Sequence, residues 1–341
     1  MAEFSRLGRA ACAQERGGEH GAKSSAFATV SAPRRDGQTI TKPTRKRCTV
    51  RAMSKRVSVA SDLAYNVNAP SSFLFQIAVA STEHQTVESE SISVEPFIPL
   101  EICQAGLLGN KIHRLSAQPG SITIRYRAEV ILDQKITPED ALQETPHAAL
   151  PGDVLPFINP SRYCESDRLL KLAWDEFGAM VPGHARVAHI VDWVHDHLDY
   201  LPGTTGPNTT ACDVLVGRAG VCRDYAHVTI ALLRALGVPA RYVAGYAVDL
   251  QPPDFHGFCE AWLGDDWYLF DATKLAPVSG FVRIGAGRDA ADVSFATFFG
   301  AADSFAPVVL AQLTNDQPAA SSDGNTRHND GDSKRHAVSS A

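Results

Sequence analysis

The sequence has no Cys-x-x-Cys pair, no long apolar run and no excess of positive charge. Its seven cysteines are scattered at positions 12, 48, 103, 164, 212, 222 and 259. An odd number at such spacings builds neither a disulfide framework nor a structural zinc site, and predicts reduced thiols in a cytoplasmic protein. No stretch approaches the roughly 18 uninterrupted apolar residues of a membrane span, so no membrane partner is expected. Lys and Arg number 32 against 38 Asp and Glu, a net charge of -6, which argues against a nucleic-acid partner. A glycine-rich phosphate loop is also missing: Gly285-x-Gly287 is too short and follows no strand–helix unit, so no nucleotide or other cofactor is expected.

What is present reads as an ordinary globular composition, 44% hydrophobic and 21% charged over 341 residues, enough for one large domain or two smaller ones. Residues 1–56 hold few large apolar groups and 13 Lys and Arg against 4 Asp and Glu, which predicts a disordered basic extension. Residues 57–137 read as a small β-domain, clearest in Ser72–Ala80 and Ser121–Leu132. Residues 138–160, rich in proline, read as a linker, residues 161–313 as a second domain, and residues 314–341 as a disordered tail. Leu169, Leu170 and Trp174 mark one amphipathic helix, and Val187, Ile190, Val191, Val194 and Leu198 the next. The second helix also carries His189, Asp192, His195, Asp196, His197 and Asp199. These fall around its polar side without zinc-hydrolase spacing, so a solvated face is expected and no metal.

The chemistry concentrates in residues 218–241. Gly220 frees the backbone ahead of a helix expected from about Cys222 to Leu236, and Gly237 with Pro239 stops it. Apolar residues cover most of that helix, which predicts burial on nearly all sides. Cys222 falls in the first turn, where free N–H groups and the helix dipole favour a thiolate. Position alone leaves two readings open, a nucleophile or one more buried, inert cysteine.

Downstream, Phe255–Leu263 and Trp267–Asp271 read as strands joined at Gly264-Asp265, a two-residue turn. That pairs Leu263 with Asp266 and sets Asp271 opposite Phe258. His256 and Asp271 then become diagonal neighbours on one face, roughly 7–8 Å apart at the backbone. A carboxylate so placed can hold an imidazole in one tautomer while the other ring nitrogen faces a thiol. Cys259 points to the other face and is expected in the core. Asp254 is either a turn former or a carboxylate facing substrate, and the loop Pro202–Thr210 is either a cleft wall or an ordinary connection.

Four motifs, in order and at close spacing, resemble the transglutaminase-like branch of the papain-like cysteine enzymes: Gly-Val-Cys222-Arg-Asp-Tyr-Ala, Gly-Val-Pro-Ala-Arg241-Tyr-Val-Ala-Gly, His256-x-x-x-Glu-Ala-Trp262, and Trp267-Tyr-x-x-Asp271-Ala-Thr. The resemblance covers about residues 160 to 300. It implies an α+β fold, a papain-like transglutaminase core with the cysteine helix packed on an antiparallel sheet. It also implies a catalytic triad of Cys222 as nucleophile, His256 as base and acid, and Asp271 as orienting residue. No side chain matches an oxyanion donor. The upstream β-domain is similar to that of bacterial, peptidase-like members, unlike the multidomain calcium-activated crosslinking enzymes. The function so implied is a cysteine peptidase or amidase acting on a peptide or amide-bearing substrate. The alternatives are a protein-glutamine transglutaminase and a non-catalytic peptide-binding module of the same fold.

Overall fold

From Val57 to Val67 every second residue is apolar or small, the period of a strand with one buried face. Val57, Val59, Ser61, Leu63, Tyr65 and Val67 are indeed all buried. This strand anchors one of the two large sheets seen in a computed structural model, which describes residues 50–51, 54–314 and 336–339.

In chain order the elements are β1 (Val50–Arg51), β2 (Lys55–Phe75), β3 (Gln85–Glu95), β4 (Glu101–Ala105), β5 (Asn110–Ala117), β6 (Gly120–Leu132) and β7 (Lys135–Pro138). Then come α1 (Leu170–Phe177), α2 (His184–His197), β8 (Asp199–Tyr200), α3 (Ala211–Gly217), β9 (Ala219–Gly220), α4 (Cys222–Ala235), β10 (Ala240–Ala247), β11 (Phe255–Leu263), β12 (Asp266–Phe270) and β13 (Phe281–Gly287). The last are β14 (Ala296–Ser304), β15 (Val308–Leu313) and β16 (His336–Ser339).

The N-terminal sheet runs β3-β6-β2-β5-β4, and β14 and β15 both pair antiparallel with β2. The core sheet runs β1-β7-β16-β12-β11-β10-β13. Both lie in the compact unit Arg47–Ala341. They meet through buried contacts: the Tyr246 hydroxyl of β10 donates to Ile77 O (2.7 Å) and lies 3.1 Å from the Ser61 hydroxyl of β2. The fold is therefore α+β, with α4 set against one face of the core sheet. Ile230, Leu233, Ala244, Cys259, Ala261 and Phe270 share that buried cluster.

Helix α4 is buried along its length from Asp224 to Ala235. Gly237 ends it at φ 80°, with Val238 N–H donating back to Leu233 O (3.0 Å), the left-handed stop that glycine adopts without steric cost. Arg234, on the same helix, is 3% exposed. Its guanidinium donates to the carbonyls of Asn159, Ala240 and Arg288 and to the Ser161 hydroxyl. A buried cation is tolerated there because several acceptors replace its water.

Several expectations change. The tail expected over 314–341 contains a strand: β16 pairs with β7 over His336–Ser339, with Ala337, Val338 and Ser339 buried; its remaining residues 315–335 and 340–341 lie outside the described residues. The basic extension of residues 1–56 lies outside them as far as position 49 and again at 52–53, while β1 and the start of β2 occupy its end. β14 and β15, grouped by sequence with residues 161–313, return to the N-terminal sheet. Residues 138–160 form short 3-10 turns and bury Phe157 edge-on against Trp267. In α1, Ala173 and Phe177 face inward, while Leu170 and Trp174 are exposed; the helix is short, and its packed neighbours select a face the apolar pattern did not single out.

Candidate active site

Each side chain of the site sits where an element begins or ends. Gly220 admits the start of α4, since a Cβ there would lie 2.7 Å from Asp224 Cβ. Asp224, fully buried, accepts from Val221 N–H (2.9 Å) and from the Thr205 hydroxyl (2.6 Å), and pairs with Arg223. This caps the helix and pins the loop 202–210 beside Cys222, where Pro207 lines the cleft. The loop is thus a cleft wall. Cys222 is a free, partly exposed cysteine in the first helical turn.

The hairpin supplies the rest. Gly264 and Asp265 both take positive φ (54° and 72°), the type I′ geometry whose twist suits a two-residue loop. The ladder pairs Leu263 with Asp266 and continues to Cys259 with Phe270. Asp271 follows directly, and its Oδ2 lies 2.8 Å from His256 Nε2. Both groups are buried. Asp271 Oδ1 accepts from Thr273 N–H (2.9 Å) and its hydroxyl (2.8 Å), so the carboxylate is fixed from behind. The His256 ring packs on Phe281 at 5.4 Å. With Nε2 engaged by Asp271, Nδ1 is left for the thiol. Burial opposes a charge on His256, but hydrogen bonds with Asp271 and Cys222 outweigh it and raise the imidazole to about 10. A ring held positive beside Cys222 is the charge partner of a thiolate.

The structure therefore brings Cys222, His256 and Asp271 together. Cys259 points into the opposite core, where burial raises its thiol well above the usual range. Glu260, on the histidine face, is buried between Arg241 and Arg283, and Arg241 stacks over Trp267 at 4.1 Å. Two histidines of α2 are engaged: His195 Nδ1 lies 2.9 Å from Ala272 O, and His197 Nδ1 2.7 Å from Trp193 O. Asp192 pairs with Lys274. No cluster of three or more metal-binding side chains stands among the described residues. Nor is any described helix long and apolar enough to cross a membrane.

Tyr200 was not singled out from sequence. Its strand β8 pairs in parallel with β9, matching Tyr200 to Gly220, and this carries the phenol close to Cys222. Burial, reinforced by that thiol, raises the phenol above its ordinary value, so it keeps its proton. No local pattern marks a two-residue parallel pairing. Tyr242 also reaches the site, its ring lying across Gly257, where a Cβ would stand 2.4 Å from the Tyr242 hydroxyl.

Around Cys222 opens a cleft of about 470 Å³, lined by Arg223, Tyr163 and Tyr242 from the core and by Leu63, Tyr65 and Phe305 from the N-terminal sheet and its returning hairpin. Asp254 stands in the lining and also binds Phe255 N–H (2.7 Å), so it is at once a turn former and a cleft carboxylate.

Residues 176–272 match the family model of the transglutaminase-like superfamily, and residues 55–153 that of the bacterial transglutaminase N-terminal domain. A proposed cysteine protease of Cytophaga hutchinsonii, known as a crystal structure, is 38% identical, with a TM-score of 0.78; the match covers 85% of this chain and 99% of that one. The chain belongs to the transglutaminase-like superfamily. An uncharacterized protein of Mycobacterium leprae is 37% identical over 114 residues, and one of Mycobacterium tuberculosis 32% identical over 115. These matches cover 30% and 29% of this chain, and the chain spans only 39% and 37% of those relatives' length.

Proposed function

We propose that this transglutaminase-like protein is a thiol hydrolase, a cysteine peptidase or amidase. The observation that carries the reading is His256, buried and held by Asp271 at 2.8 Å with Cys222 as its other partner at the start of α4. In the proposed cycle the Cys222 sulfur attacks the amide carbonyl, and the imidazolium delivers its proton to the departing amine as the thioester forms. Neutral His256 then takes a proton from water, whose oxygen attacks the thioester and releases the acid and the free thiol. Asp271 keeps the ring in the tautomer that presents Nδ1 to the sulfur. The Cys222 N–H, at the positive end of α4, is the proposed donor to the oxyanion, with the Tyr200 phenol close by.

A crosslinking enzyme needs the same first half-reaction and then an amine in place of water. The experiment supplies a library of short peptides, glutamine peptides among them, with and without excess primary amine, and follows products by mass spectrometry. Hydrolysed or deamidated product in the wild type, and none in Cys222→Ala, is expected. Dominant amide-exchanged product would replace the hydrolase reading with transglutaminase. An intact fold that turns over no peptide and leaves Cys222 unlabelled by an electrophilic peptide would favour a binding module.

A further inference from the structure

The cleft is lopsided. On the core side of Cys222 the polar groups are those of Arg223, Tyr163 and Tyr242, whereas the N-terminal sheet and the segment joining the two sheets supply Leu63, Tyr65, Phe295, Phe305 and Pro307, with Phe255 of β11 beside them. These rings are held by the backbone. Phe305, between β14 and β15, donates its N–H to Ala64 O (3.1 Å), Ser304 pairs with Tyr65, and Phe295 O accepts from Gln76 N–H (3.0 Å). Phe295 stacks on Phe255, the residue before His256, at 4.4 Å. Phe305 nevertheless stays 60% exposed. A lone apolar side chain on a surface needs no explanation, but this one closes an apolar wall in the same concave cleft as Cys222, where burial waits for a ligand.

We propose that Tyr65, Phe295 and Phe305 form a specificity subsite that takes a bulky apolar side chain on the acyl side of the bond attacked, so that the preferred substrates are peptides with an aromatic or large aliphatic residue there. The inference rests on the thiol reading of the site. It gives the N-terminal sheet a task in recognition, because two of the three rings come from β2 and from the hairpin that returns to it.

Two chloromethyl ketones that differ only in the residue in question, N-acetyl-Phe-Gly and N-acetyl-Gly-Gly, separate the possibilities, with iodoacetamide as a probe too small to reach the wall. The readout is the second-order rate of labelling at Cys222 by mass spectrometry. The wild type should prefer the phenylalanyl probe by at least about 10-fold, the discrimination an apolar pocket gives for a small apolar increment. Phe305→Ala should bring that ratio toward one. Phe299→Ala, which removes an equally exposed ring outside the cleft, should keep the wild-type ratio. Equal rates for the two ketones in the wild type, a ratio that survives Phe305→Ala, or an equal fall in Phe299→Ala overturns the subsite while leaving the thiol reading standing. Failure of every probe, iodoacetamide included, to label Cys222 ahead of the other cysteines overturns the thiol reading, and the subsite with it.

Discussion

Replacing Asp271 by Asn tests the geometry of the site with almost no change of volume. Asp271 Oδ2 faces His256 Nε2 at 2.8 Å, and Oδ1 accepts the Thr273 N–H at 2.9 Å. An asparagine satisfies only one of these demands. If its oxygen keeps Thr273, its NH2 points at Nε2, which must then accept, and the ring proton moves to Nδ1 facing the sulfur. If its oxygen keeps His256, an NH2 confronts the Thr273 N–H. One mispaired buried hydrogen bond costs about 1–3 kcal/mol, and at roughly 1.4 kcal/mol per tenfold it depletes the productive arrangement about 5- to 140-fold. Loss of the negative charge opposite the imidazolium adds to that. The same change in a serine protease triad costs about 10⁴-fold, so turnover in Asp271→Asn should fall between about 10²- and 10⁴-fold. The imidazole, at about 10 in the wild type, should titrate lower, and because the ring must be protonated to deliver a proton to the departing amine, the alkaline limit of turnover should move to lower pH. The assay is turnover across a pH series on any peptide the wild type cleaves, paired with a thermal melt. Wild-type turnover in a variant with a wild-type melt would refute the role given to Asp271.

Three further outcomes are expected. Site-resolved alkylation below pH 7 should modify Cys222 faster than Cys259, whose thiol burial raises; equal rates would remove the case for an activated nucleophile. Deleting residues 336–341 removes β16 with its buried Ala337 and Val338, at about 2–4 kcal/mol for the lost side-chain burial and strand bonds, and should lower the melting temperature by several degrees; an unchanged melt would show that the strand contributes nothing. His227, fully buried on α4, accepts from Ala290 N–H at 3.1 Å, and burial lowers its imidazole to about 3. Its folded-state value lies below the unfolded one, so its contribution is complete above pH 6.5 and is lost as the pH falls toward 3. Urea titrations should show part of that acid loss abolished in His227→Gln, and parallel pH curves for the two proteins would refute it.

The hairpin of the site was legible because its signals are local: alternating residues fix which side chains share a face, and a two-residue turn fixes the register, which together put His256 beside Asp271. Helix α4 was legible for the same reason, from Gly220 at its start to Gly237 at its end. What escaped depends on partners distant in sequence. Tyr200 owes its place to two residues of parallel pairing with β9, and β16 to a slot between β7 and β12 that no run of four residues announces. The inward face of α1 was decided by neighbours, as was the burial of His227 and Arg234, two polar residues whose partners come from residues 159–161, 240 and 288–290.

The return of β14 and β15 to β2 has a bearing on how such a chain can be cut and rearranged. Expressed alone, residues 55–132 would keep β6 and β5 on β2 but lose both returning strands, baring the backbone donors and acceptors they cover, and such an edge recruits other strands and aggregates. The half that carries Cys222, expressed alone, would bear an orphan hairpin with exposed Phe298, Phe299 and Phe305. A recombination event or an engineer wishing to exchange the N-terminal module must therefore make two cuts, one near residue 133 and one near 295, and supply both pieces from the same donor. The second cut falls in the segment that lines the cleft, so swapping the module also changes what the cysteine sees.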